Sequence, residues 1–347
     1  MSDTPGCPAP EAHRHESLDA LRGLLMVAVI IGHFPTSGGG LNPFGPLPQW
    51  LYFFHIPLFL ALSCLFVRPF TLRQQGLRAR QILVPYLFWC VLLHPLASLG
   101  HPVSFLRDAA MGNWAHLQSV LWFLPALFTT NLLLALWRRA RAGGGRSQIL
   151  VDLGVGVLAG GVIVNASRLA TWHDRIPFGL DVALFLLPFL WGIVQLWARR
   201  NLWAKAGAWL VPAALLALPL GGFAVAACEQ VKTHSAFARK VDFAQFSVPV
   251  TWPGYLGMFL MAASLLVLAS RLPWQRRLAT LGRNSMPIYL LHYPLLHALT
   301  RTIGVAGETR GWLLLYGLAV TALVLGLGLA IAKTLAGKSQ GFTLAGF

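Results

Sequence analysis

Arg22 and His33 stand eleven residues apart in SLDALRGLLMVAVIIGHFP, Ser17 to Pro35, a stretch otherwise almost wholly apolar. Eleven positions are about three helical turns, so both side chains leave one helix face, roughly 16 Å apart along the axis. Asp19 lies three residues before Arg22, a spacing at which opposite charges pair on a helix. A polar stripe therefore runs from a charged pair at one end to an imidazole well inside. A neutral imidazole is cheaper to bury than a charge and exchanges a proton near neutrality, which makes His33 a candidate general base. Structural roles compete with functional ones here: a membrane-edge anchor for Arg22 and an interhelical hydrogen bond for His33. Pro35 can end or bend the helix beside the histidine.

Four more histidines fall in apolar stretches: His55, His94, His292 and His297. His55, in LYFFHIPLF, is expected at a depth matching that of His33. Pro57 frees the Phe53 carbonyl beside it, which suits a site or a packed kink. His292 and His297 are five apart and so lie on different helix faces, and no H-E-x-x-H occurs. With Asp181 the main carboxylate in an apolar run, no metal site is expected. His13 and His15 are expected in a solvated tail. RPFTLRQQGLRARQILVPYLFW gathers Arg68, Arg73, Arg78 and Arg80 before a proline-led apolar run. It reads either as a topology signal or as a surface for a phosphorylated ligand, since guanidinium groups bind phosphate in bidentate fashion. Trp122, in VLWFLPALF, is either an aromatic-belt residue or a platform for a sugar face or acyl group.

The elements that must hold these groups are membrane helices. Of 347 residues 56% are hydrophobic and 11% charged, far fewer charges than the roughly 25% of a soluble domain. The apolar runs predict ten spans, near 18–36, 50–67, 82–99, 119–137, 149–168, 177–197, 205–228, 252–270, 285–303 and 312–333. Each is about long enough to cross a ~30 Å hydrocarbon layer. With both termini cytoplasmic, nineteen of the 27 Lys and Arg fall in inner segments and eight in outer ones, as the positive-inside rule requires. The +16 charge is thus a membrane signal, and no nucleic-acid partner is expected. The four cysteines, at 7, 64, 90 and 228, form no C-x-x-C pair, and ARAGGGRS lacks the Lys-Ser/Thr ending of a phosphate-binding loop. The fold class is all-α, a polytopic membrane bundle: a polar tail over 1–16, a transmembrane domain over 17–333 and a short tail over 334–347.

Several segments together resemble the acyltransferase-3 family of integral membrane acyltransferases. They are LDALRGLLMVAVIIGHF, FFHIPLFLALSCLF, RARQILVPYLFW, LWFLPALF and LGRNSMPIYLLHYPLL, in the family's order. FHIPLF and the compact length look closest to the fucose 4-O-acetylase-like, or sugar O-acetyltransferase, branch. The resemblance implies transfer of an acyl group, usually acetyl from acetyl-CoA, to a hydroxyl of a glycan, lipid-linked sugar or small molecule. It maps the family's arginine and histidine onto Arg22 and His33. Many members carry an R-x-x-R pair in the first inner loop, where this chain has Arg78-Ala79-Arg80. The expected arrangement brings coenzyme A in from the basic inner face, with Arg22, Arg78 and Arg80 toward its phosphates and its thioester toward His33. His55 orients the acceptor or stabilises charge, Asp19 holds Arg22, and Trp122 meets the substrate. The expected setting is the plasma membrane (the bacterial inner membrane), among lipids. The rival class is a transporter or flippase of a glycan or small molecule, against which stands the lack of an inverted repeat.

Overall fold

The computed structural model describes residues 15–34, 42–45, 47–94, 100–111, 120–142, 144–164, 177–205, 207–230, 240–243, 246–249, 252–271, 275–303 and 310–336. The chain opens with α1 (Glu16–Gly32), α2 (Leu47–Tyr52), α3 (His55–Cys64), α4 (Leu72–Leu93) and α5 (Pro102–Met111). Next come α6 (Phe123–Arg141), entered by a 3-10 turn at Val120–Trp122, then α7 (Gly145–Val164), α8 (Leu180–Ala198), α9 (Asn201–Lys205) and α10 (Leu210–Gln230). After two short strands follow α11 (Trp252–Ala269), α12 (Gln275–Arg283), α13 (Ser285–Ile303) and α14 (Arg310–Ala336).

Among the described residues four stretches are long and apolar enough to cross a membrane: Leu72–Leu93, Val120–Arg141, Pro177–Ala198 and Arg310–Thr334. Shorter apolar helices cover Trp50–Cys64, Leu210–Ala224 and Gly254–Ala269. Side chains such as Leu150, Val157, Trp312 and Leu315 stand exposed on α7 and α14. Apolar surface on that scale suits hydrocarbon rather than water.

Three local expectations change. The basic segment over 68–80 is not a loop: α4 begins at Leu72, and the Thr71 hydroxyl accepts the Gln74 N–H at 3.3 Å as its N-cap. A threonine cap before Leu, Arg and Gln, all good helix formers, explains the early start. The run over 50–67 is two helices, broken at Phe53 and Phe54, and Pro57 falls in the first turn of α3, where its missing N–H costs nothing. The fold is not wholly α: between α10 and α11 the described residues include a β element. β1 (Lys240–Phe243) pairs antiparallel with β2 (Phe246–Pro249), Lys240 opposite Pro249 and Phe243 opposite Phe246.

The core gathers around α1, which packs on α2, α3, α11, α12, α13 and α14. Leu18, Leu21, Leu25, Met26 and Ile30 are all buried, as expected of a helix apolar nearly all round. Its tightest neighbour is α12. A Cβ on Gly282 would meet the Asp19 carbonyl oxygen, and one on Gly23 would meet the Leu278 carbonyl oxygen. The two helices thus cross backbone against backbone, as small residues allow between membrane helices. Gly221 and the Gly257 carbonyl make a similar crossing of α10 and α11.

Candidate active site

His33 is the residue directly after α1, at its C-cap. Its Nδ1 donates to the Val29 carbonyl at 2.8 Å. A carbonyl can only accept, so Nδ1 carries the hydrogen and, in the neutral ring, Nε2 is left as the acceptor. His33 lines a small, narrow pocket with Tyr52, Ile56, Val120, Trp122, Phe123 and Tyr289. The walls are pinned by hydrogen bonds to backbone. The Tyr52 hydroxyl donates to the Gly32 carbonyl at 3.0 Å, and the Tyr289 hydroxyl donates to the Val120 carbonyl. Trp122 is 4% exposed, which removes the aromatic-belt reading. It forms part of the wall facing His33 instead.

His55 is fully buried at the start of α3, and its Nδ1 donates to the Leu51 carbonyl at 2.6 Å. That bond ties the α2 end to the α3 start across the break. Tyr52 bridges the two histidines, with ring centroids 5.0 Å from His55 and 6.0 Å from His33. On the other side His292, from α13, lies 5.2 Å from His33 between ring centroids. His297 turns to another face and stacks edge-on to Tyr293 at 4.3 Å, while His94 ends α4. Asp181 falls in the first turn of α8, and its side chain lies outside the described residues, as do Pro35 and His13. His15 is not in a solvated tail: its ring packs on Phe66 and Trp197, with centroids at 5.9 and 5.3 Å. Among the described residues no group of three His, Cys, Asp or Glu could hold a metal ion.

Two arginines converge on the far end of α3. Arg22 pairs with Asp19 at 3.2 Å, as its spacing predicts, and its other nitrogen donates to the Leu62 carbonyl at 3.1 Å. Arg138 donates to the carbonyls of Leu65, at 3.1 Å, and Val67. Together they cover carbonyls at the α3 C-terminus, which a helix cannot satisfy internally and where cations are favoured. Arg78 donates to Asn131 Oδ1 at 2.5 Å, linking α4 to α6, whereas Arg80 is exposed. The structure therefore brings His33, Trp122 and the neighbourhood of His55 to one pocket. It leaves Arg22 bonded to the end of α3 and Arg78 bonded across to α6.

The family model described as an acyltransferase domain, acyltransferase-3, matches residues 15–332. The chain belongs to the acyltransferase-3 family. Two relatives with names are both nodulation protein NolL. The one from Mesorhizobium japonicum is 33% identical over 141 residues, 37% of this chain and 37% of that protein. The one from Sinorhizobium fredii is 31% identical over 145 residues, 38% of each. The alignments thus span well under half the length of these relatives. No solved structure matches the chain.

Within this acyltransferase-3 chain, two residues escaped sequence reasoning. His292 is visible in the sequence as a histidine in an apolar run, but its neighbour His33 lies 259 positions earlier in the chain. Arg138 looked like one more inner-face charge, since nothing local joins it to carbonyls 71 and 73 residues away.

Proposed function

We propose that the chain is a membrane-embedded O-acyltransferase that moves an acetyl group from acetyl-CoA to a hydroxyl of a cell-surface or lipid-linked sugar. Family membership supports the reaction class. The single observation that carries the reading is His33, with Nδ1 engaged by Val29 and its ring forming one wall of an aromatic pocket. In the reaction the hydroxyl oxygen forms a bond to the thioester carbonyl carbon while its proton passes to His33 Nε2. The C–S bond then breaks, and the proton leaves with the coenzyme A sulfur. General-base help of this kind contributes about 10²–10⁴-fold. Trp122 offers a flat face to a sugar ring or acyl group. His55, locked to Leu51, fixes the Tyr52 side of the pocket.

The donor approaches from the basic side, where exposed Arg80 is the arginine best suited to its phosphates. Arg22 and Arg78 are positioning residues on this reading, because their guanidinium groups hold the α3 end and Asn131. The surrounding arrangement is ten spans with both termini in the cytoplasm of the plasma (bacterial inner) membrane, supported by the nineteen-to-eight split of basic residues.

The test compares deletion, complemented and His33→Ala cells by mass spectrometry and NMR of surface glycans and lipids. One acyl ester present only in the complemented strain is expected. Undiminished acyl ester from a stably inserted His33→Ala chain refutes the reading.

A further inference from the structure

We propose that His292 is the second imidazole of a proton-sharing pair with His33, an inference that rests on the transfer reaction above. Its ring is held in place: Nδ1 donates to the Tyr289 carbonyl on the preceding turn of α13. That bond commits Nδ1 as the hydrogen-bearing nitrogen and leaves Nε2 as an acceptor. His292 is 0% exposed, and Nε2 is buried with no hydrogen-bond partner among the described residues. A buried acceptor without a donor costs stability, and such groups cluster where function supplies the missing partner.

The position decides which partner that is. The His292 ring is 5.2 Å from that of His33, centroid to centroid and near perpendicular. Tyr289, one turn earlier, is part of the pocket wall. His55 also has a buried Nε2 without a partner among the described residues, but its ring packs on Tyr52, which in turn packs on His33. His292 is the direct neighbour.

Both rings spend Nδ1–H on a backbone carbonyl, so the two Nε2 lone pairs are equivalent in kind and one proton completes the pair. When the acceptor hydroxyl forms its C–O bond to the acyl carbon, its proton goes to His33 Nε2. The N–H so formed donates to His292 Nε2, and the positive charge spreads over two imidazoles, the second of them fully buried. The C–S bond breaks, the proton passes to the sulfur, and both rings return to neutrality. No group beyond the donor and the acceptor is consumed.

The experiment uses the purified full chain in lipid nanodiscs, with radiolabelled acetyl-CoA and the host glycan extract as acceptor. His292→Asn keeps a side-chain N–H for the Tyr289 carbonyl but removes the distal acceptor. His292→Gln restores an acceptor oxygen at the Nε2 position. The expected result for His292→Asn is a kcat loss of about 10²-fold, with KM for acetyl-CoA within about twofold of wild type. His292→Gln recovers part of that loss, and both variants melt near the wild-type temperature. Wild-type kcat in His292→Asn overturns the pair while leaving the transferase reading intact. So does a loss in both variants that tracks their melting temperatures, since that marks a structural role. Absence of transfer by the wild-type chain instead overturns the reading on which the pair rests, and the pair with it.

Discussion

Replacing Gly282 by alanine tests how the bundle aims its candidate base. A Cβ there would lie 2.7 Å from the Asp19 carbonyl carbon and 2.9 Å from the Gly23 nitrogen, with the Asp19 oxygen nearer still. All three obstacles are backbone, so no rotamer change relieves the clash and α12 must move off α1. Overpacking of this sort costs about 1–3 kcal/mol, and the rigid obstacle puts it at the upper end. Alanine regains about 1 kcal/mol of helix propensity over glycine. The net expectation is a loss of about 2 kcal/mol. Gly156 in α7, where a Cβ would meet nothing within 4 Å, is the control, and Gly156→Ala gains about 1 kcal/mol by propensity alone.

The same wedge reaches the pocket. Gly23 lies ten residues before His33, about 15 Å along the helix. A tilt at the crossing therefore displaces the imidazole, and a misplacement of about 1 Å costs on the order of 10²-fold in rate. The assay pairs thermal unfolding of the chain in nanodiscs, followed by tryptophan fluorescence, with acetyl transfer from acetyl-CoA. The reasoning fails if Gly282→Ala melts at or above wild type while Gly156→Ala behaves as expected.

Two further outcomes separate binding from packing. Arg80→Ala should raise KM for acetyl-CoA by about 3- to 10-fold without changing the melting temperature, because an exposed guanidinium gives one screened phosphate contact. Arg78→Ala should lower the melting temperature as well, since it loses the bond to Asn131; steady-state kinetics and melting curves distinguish the two. Trp122→Phe should keep most of the packing and raise acceptor KM by about 3- to 10-fold with kcat within about twofold. Trp122→Ala should also destabilise the chain by about 3–5 kcal/mol as a buried aromatic truncation. Equal acceptor KM across wild type, Phe and Ala would remove Trp122 from the binding wall.

Much of the site was legible because it is written along one helix. Asp19, Arg22 and His33 owe their order to the 3.6-residue period, and the Asp19–Arg22 pair forms as that period dictates. The apolar runs likewise marked where helices lie, since length and hydropathy are local properties. The start of α4 was missed because a threonine cap outweighed the loop signal of clustered arginines. The break between α2 and α3 was only hinted at by Pro57.

Read alone, the sequence determined a membrane helix protein with an arginine–histidine stripe, and the motifs along it marked the acyltransferase-3 resemblance. Only the tertiary structure decided what meets that stripe. Trp122 faces His33 rather than lipid, His292 adjoins His33 from a helix far along the chain, and Arg138 joins Arg22 at the end of α3. Periodicity specifies directions within one helix. Which residues of different helices touch depends on how the helices cross, and here the Gly23–Gly282 contact brings two backbones together where a single Cβ on either side would hold them apart.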